Sequence, residues 1–236
     1  NTTGAENTAI GFRALEANTT ASYNTAVGAY ALDANTTGAD NTGVGYNALG
    51  ALTTGNYNVA VGRNAAGTCS TGSSNIALGY TALSATTGSN CIGIGIGAGA
   101  ANTSGAIIAI GYYALDANTT GAENVAVGSN ALGANTTANN NTAFGSYALA
   151  TNSTGAQNTA CGKNALIANT TAHNNTAVGY QALTANTTGA SNVAVGRDAL
   201  VANTTANYNT AVGYQAAYST TECTGHVAIG YRAMYS

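Results

Sequence analysis

One seventeen-residue phrase, written over and over, limits what this chain can fold into more than any other feature. NTACGKNALIANTTAHN begins at Asn158, NTAVGYQALTANTTGAS at Asn175 and NVAVGRDALVANTTANY at Asn192. Self-similarity at a short fixed period marks a solenoid, in which each copy is one coil that hides its interior only by stacking on its neighbours. Fourteen copies start in register, at Asn7, Asn24, Asn41, Asn58, Asn75, Cys91, Ile107, Asn124, Asn141, Asn158, Asn175, Asn192, Asn209 and His226. The stride is seventeen except from 75 to 91 and from 91 to 107, where it is sixteen. Residues are identified below by their place, one to seventeen, within the phrase.

Superposing the copies gives columns. Place five is Gly in every copy, from Gly11 to Gly230, and place eight is Ala in every copy, from Ala14 to Ala233. Place four is apolar throughout, as at Val27, Ile94, Cys161 and Val178, and place nine is mostly Leu, as at Leu15, Leu115 and Leu200. Period-two alternation in T/V-A-V/I-G predicts a short β-strand, with the β-branched second and fourth places turned into the coil. Place three is Ala or Gly in every copy, so the outer face of that strand is expected to be bare and open to close approach. A second short strand is expected around A-L-x-A, and the Asn, Thr and Gly of TANTTGAS predict a turn. A helix fits badly, because Gly sits inside every copy and the apolar columns do not recur at three and four.

The expectation is an all-β fold: a parallel β-solenoid of about fourteen coils, one repeat array over residues 1–236, irregular at 75–106. At about 4.8 Å per coil, such a stack would be on the order of 65 Å long. The irregular stretch contains CIGIGIGAGAANTSGA. It lacks the following helix and the G-K-[ST] of a phosphate loop, so a slimmer coil explains it better.

Charged residues are 6% of the chain, against about 25% in ordinary soluble proteins. Five basic and eight acidic side chains make no basic stripe for phosphates, which argues against nucleic acid. No apolar run reaches the roughly 18 residues of a membrane span, so no membrane insertion is expected within this segment. Since it starts and stops inside a phrase, the sequence reads as part of a longer fibrous protein.

Chemistry-bearing residues are scattered. Six of the eight acids, including Glu16, Asp33 and Asp116, fall at places ten or seventeen, beside the variable turn. They supply neither the convergent carboxylate pair of a glycosidase nor a calcium site. His173 and His226 stand in different columns without a metal-ligand pattern. Cys161 is expected to be buried in column four, and Cys69 and Cys91, in different columns, make an intrachain bridge doubtful. No catalytic residue, metal or cofactor is assigned.

Two columns point to contacts. Place six carries Tyr46, Tyr80, Tyr112, Tyr180, Tyr214 and Tyr231, with Phe12. An exposed aromatic row can stack on sugars or on a partner surface, and it can equally shield a corner or pack on another chain. Place twelve carries Asn18, Asn35, Asn118, Asn135, Asn169, Asn186 and Asn203 in N-x-[ST] sequons. Either these asparagines accept glycans, or stacked Asn and Thr side chains hydrogen-bond along the column and the sequon is a by-product.

The motif N-[TSV]-A-[VI]-G-x-x-A resembles the head repeat of trimeric autotransporter adhesins, and the whole NTAVGYQALxANTTG phrase is similar to the repeats of tail-fibre-domain proteins of phages and bacterial surfaces. The likeness spans essentially the whole chain. It implies a left-handed parallel β-roll assembled as a parallel homotrimer, outside the cell or on a virion. The Ala and Gly face, for example Ala177 with Gly179, would let three rolls touch. The period of seventeen is longer than that of the adhesin head repeat, and the stalk and anchor of those adhesins are not expected within this segment. The function implied is a structural fibre or adhesin shaft that displays, or contributes to, binding of a host-surface glycan or protein receptor. A self-assembling extracellular filament is the alternative. Ice binding through Thr ladders and a polysaccharide-active enzyme fit less well, the first because its Thr pairs sit in turns, the second because its acids are missing.

Overall fold

The structure, a computed structural model, describes residues 1–103 and 105–235. It is all-β, with no helix among the described residues, and each coil contributes one three-residue strand. The chain divides into two compact units, Asn1–Thr120 and Gly121–Ser236. The first holds β1 (Thr8–Ile10), β2 (Thr25–Val27), β3 (Thr42–Val44), β4 (Val59–Val61), β5 (Ile76–Leu78), β6 (Ile92–Ile94) and β7 (Ile108–Ile110). The second holds β8 (Val125–Val127), β9 (Thr142–Phe144), β10 (Thr159–Cys161), β11 (Thr176–Val178), β12 (Val193–Val195), β13 (Thr210–Val212) and β14 (Val227–Ile229).

Within each unit every strand pairs in parallel with its sequence neighbour, place for place: Val44 opposite Val61 in the first, Val178 opposite Val195 in the second. The parallel β-solenoid expected from the period is therefore what forms. The sixteen-residue coils do not disturb it, because Ile76, Ile92 and Ile108 remain in register. In the first of them the missing residue comes out of the turn at Thr86–Cys91, and the strand is untouched.

The expected orientation of the strand is reversed. Ala26, Ala60, Ala177 and Ala194, at place three, are fully buried, whereas Val61 is 41% exposed, Val178 37% and Phe144 57%. The reason is the width of the coil. A Cβ at Gly43 would lie 3.4 Å from Cγ of Leu32, and one at Gly93 would lie 2.6 Å from Cγ of Leu83. The place-nine leucine of one coil thus fills the space above place three of the next, leaving room for a methyl group at most. The β-branched residues face out. Cys161 goes with them and is exposed rather than buried.

The second strand expected around A-L-x-A does not form. In its place are tight turns, with left-handed backbone at places seven and nine: φ is 59° at Tyr30 and 52° at Leu32. Such φ values are costly for leucine. They are held because the turn is laddered to its neighbours, Tyr30 N–H donating to Phe12 O (2.8 Å) and Leu32 N–H to Ala48 O (3.1 Å). Gly99, which stands where other coils have Leu, has φ 61° and adopts the same conformation without that cost.

Two asparagine columns complete the interior. At place one of the first unit, Asn24 Oδ1 accepts from Asn41 N–H and Asn41 Oδ1 from Asn58 N–H, both at 2.9 Å; in the second, Asn175 Oδ1 accepts from Asn192 N–H and Asn192 Oδ1 from Asn209 N–H, both at 2.9 Å. At place twelve, Asn203 Nδ2 donates to Asn186 Oδ1 (2.8 Å) and Asn169 Nδ2 to Asn152 Oδ1 (2.8 Å). Both columns also donate to one carbonyl of their own turn, as Asn175 Nδ2 (2.8 Å) and Asn186 Nδ2 (2.9 Å) do to Gly189 O. Buried amides are tolerated because they are almost all partnered in this way. Asn35 Oδ1 has no donor, since the next coil places Leu52 where an asparagine would be.

Candidate functional site

No cavity occurs among the described residues, and none of their His, Cys, Asp and Glu side chains gather in groups of three that could hold a metal. Among the described residues no helix is long and apolar enough to cross a membrane. What the molecule offers is surface, and the columns determine its chemistry.

The first surface is the outward strand face. In the first unit it carries Thr25 with Val27, Val59 with Val61 and Ile76 with Leu78; in the second, Thr142 with Phe144, Thr176 with Val178 and Val193 with Val195. These side chains are half-buried or exposed.

The second surface lies just beyond the place-five glycine, where the chain leaves the strand. Gly179 has φ +136°, and a Cβ there would come within 2.5 Å of Gly196 O. Glycine is needed at this corner because the backbones of successive coils touch. The corner turns place six to solvent, with place seven for the most part half-buried beside it. Tyr46, Tyr80, Tyr112, Tyr180 and Tyr231 are exposed there, and Tyr214 is half-buried against a neighbouring ring. Tyr214 and Tyr231 stack with centroids 5.5 Å apart and planes 9° from parallel. In the first unit Phe12, Tyr30 and Tyr46 meet edge to face at 5.4 and 5.7 Å.

The sequence reading missed the cations of this row. Arg13, Arg63, Lys163, Arg197 and Arg232, all the lysines and arginines of the chain, stand at place six or seven. Arg63 lies over Tyr46 (5.7 Å to the centroid), and Arg197 lies between Tyr180 (5.4 Å) and Tyr214 (5.9 Å). Such contacts hold a guanidinium flat against a ring while its edge stays in water. Tabulating the charges by column would have revealed the row from sequence.

The acids are dispersed. Glu16 pairs with Arg13, and Asp198 with Arg197 at 3.3 Å. Burial pushes the Asp116 carboxyl above its usual range, against opposing hydrogen bonds from its own and the Ala117 backbone. Among the cysteines, Cys69 and Cys91 are buried in the asparagine columns, Cys161 and Cys223 are exposed, and all are free thiols. Burial raises the Cys69 thiol as well, partly offset by its contact with Gly72 O.

The asparagines of place twelve face inward. Asn18, Asn35, Asn118, Asn135, Asn169, Asn186 and Asn203 are all at most 2% exposed. Their amides are inside the coil, as the Asn203, Asn186 and Asn169 bonds show, so a sugar on Nδ2 has nowhere to go. The other reading, a ladder along the column, describes them.

Searches of family models, curated proteins and solved structures return no match to this chain.

Proposed function

We propose that this chain is a non-enzymatic structural element: a stiff fibre or adhesin shaft, working outside the cell or on a virion, whose copies associate side by side in a parallel homotrimer. The observation that carries the reading is the outward strand face. Each unit already has a complete interior of Ala, Leu and Asn, yet it keeps a second row of Val, Ile and Thr half in water. An apolar face repeated on every coil is the usual mark of an interface, and parallel chains in register would give each coil an identical neighbour. Within each unit stiffness follows from the laddered turns, since successive coils are hydrogen-bonded through the backbone, and through asparagine where the columns hold it. Solvent-exposed Tyr, Arg and Lys beside the corner would supply contacts to a receptor surface.

The outward face does not favour ice binding. Its hydroxyl row is broken by Val59, Ile76, Ile92 and Ile108 in the first unit and by Val125, Val193 and Val227 in the second, so it offers no continuous threonine lattice. Sedimentation equilibrium over a concentration series tests the proposal. The expected result is one species of three chains; a single chain, or mass that keeps growing with concentration as in a filament, refutes it.

A further inference from the structure

We propose that the second unit binds a linear acidic polysaccharide along the row Lys163, Tyr180, Arg197, Tyr214, Tyr231 and Arg232, with one acidic group of the glycan at each cation. This goes beyond the shaft reading, gives its surface contacts a ligand class, and holds for the folded chain whether or not copies assemble.

The row is a built feature with a fixed pitch. Backbone bonds tie each coil's place seven to place six of the coil before: Gln181 N–H to Lys163 O (3.1 Å), Asp198 N–H to Tyr180 O (2.9 Å), Gln215 N–H to Arg197 O (2.9 Å) and Arg232 N–H to Tyr214 O (2.9 Å). Cations recur on every second coil, at 163 and 197 in place six and at 232 in the adjoining place seven, which sets the coils that carry them about 9.6 Å apart for strands spaced at about 4.8 Å. That interval matches the advance of a disaccharide in an extended chain. Tyrosines occupy the coils between, at 180 and 214; Tyr214 is taken up by Arg197 and Tyr231, and it is the exposed Tyr180 whose remaining ring surface and hydroxyl suit a pyranose.

The arginines are held ready. Arg197 lies between the rings of Tyr180 and Tyr214, and its Nε is engaged by Asp198 at 3.3 Å. Arg232 lies over Tyr231 (5.4 Å) and Tyr235 (4.7 Å), and its Nε donates to Gln215 Oε1 at 3.0 Å. In both, the inner nitrogen is used for orientation, and among the described residues the terminal nitrogens make no other hydrogen bond. The Arg197 side chain is 61% exposed. A planar fork fixed in this way recognises a carboxylate or sulfate bidentately.

Charge and shape select the ligand class. Asp198 is the one acid in the row, with its side chain only 9% exposed, so the cations outnumber it. Glu123 and Glu222, the other acids of the unit, belong to different columns. A flat row without a cavity suits an extended polymer rather than a small molecule. Three widely spaced cations suit one acidic group per disaccharide better than a phosphate on every nucleotide.

Calorimetric titration of the whole chain with hyaluronate, which carries one carboxylate per disaccharide, tests the site, with a neutral cello-oligosaccharide and oligothymidylate as comparators. The expected result is hyaluronate binding that weakens with salt, no binding of the neutral chain, and weaker binding of the oligonucleotide. Arg197→Gln and Arg232→Gln should each weaken hyaluronate about tenfold, the scale of one charge-assisted contact. Arg63→Gln, which removes a similar charge from the other unit, should leave it within about twofold. Should Arg197→Gln alter the far-UV dichroism, Arg232→Gln and the salt dependence decide. Absent hyaluronate binding, equal loss in Arg63→Gln, equal binding of the neutral chain or tighter binding of oligothymidylate overturns the site. Sedimentation of the same samples separates the two proposals. An assembled chain that ignores hyaluronate sinks only the glycan site, and a single chain that binds it sinks only the trimer.

Discussion

Replacing Asn175 by Ala and, separately, Asn186 by Ala compares two asparagines of equal burial whose amides do different work. Both are fully buried. Asn175 Oδ1 accepts from the backbone N–H of Asn192 (2.9 Å) and from its Nδ2 (3.2 Å), while Asn175 Nδ2 donates to Gly189 O (2.8 Å). In Asn175→Ala, Gly189 O keeps Asn186 Nδ2 and Asn192 Nδ2 keeps Ala206 O, but the Asn192 N–H loses its acceptor inside the coil. An orphaned buried donor costs about 1–3 kcal/mol, and the lost bonds bring the total to roughly 3 kcal/mol. Asn186 binds only other side chains and Gly189 O. Its removal strands Asn169 Oδ1, a type of loss the interior already carries at Asn35 and Asn203, so about 1.5 kcal/mol is expected. The difference is about a factor of ten in local opening. Since a repeat array need not unfold in one step, the assay is amide hydrogen exchange at Val193–Val195. Equal loss of protection in the two variants, or greater loss in Asn186→Ala, would refute the claim that place one satisfies the backbone and place twelve mainly its own ladder.

Other perturbations test other parts of the account. Gly179→Ala forces a side chain into φ +136° and to within 2.5 Å of Gly196 O; strain alone is worth about 1–3 kcal/mol, and a melting temperature unchanged from wild type would show that the corner can open. A thiol reagent without denaturant should label Cys223 and spare Cys69 and Cys91, with mass spectrometry giving the count, while Cys161, on the strand face that other copies cover, should be labelled only when the chains are dispersed; labelling of Cys69 or Cys91 would mean that the asparagine columns do not face inward. Because burial raises the folded-state pKa of Asp116, this carboxyl favours folding most when protonated, and that contribution is lost as pH rises through its folded pKa. Asp116→Asn should therefore be more stable than wild type at pH 7, with the advantage vanishing in acid below the unfolded pKa of about 3.9; a variant less stable at pH 7 would contradict this.

The period was legible in the sequence and so, through it, was the parallel stack, because nothing but coil on coil brings Val178 opposite Val195. The side of the strand that faces inward was misread for a definite reason. β-branched residues usually mark a buried face, but a coil of this width already holds Leu183 and its equivalents, and only Ala177 fits beside them. The restriction to Ala or Gly at place three, in every copy, was the stronger signal, since it is a limit on volume. The turns were legible as turns in TANTTGAS but not in A-L-x-A, where leucines adopt a backbone conformation that their type disfavours and only inter-coil ladders maintain. In the candidate site, the tyrosine row could be read directly. The arginines between the rings were missed because five cations in a long chain look sparse until they are placed by column.

The central claim is that the Val, Ile and Thr face looks outward and is covered by other copies of the chain. Sedimentation of the double variant Val178→Asp, Val195→Asp tests it most directly, since charges there should cost nothing inside a coil and everything between copies. The account predicts a compact single chain where wild type gives three. A three-chain species, or an unfolded and aggregated one, would contradict it.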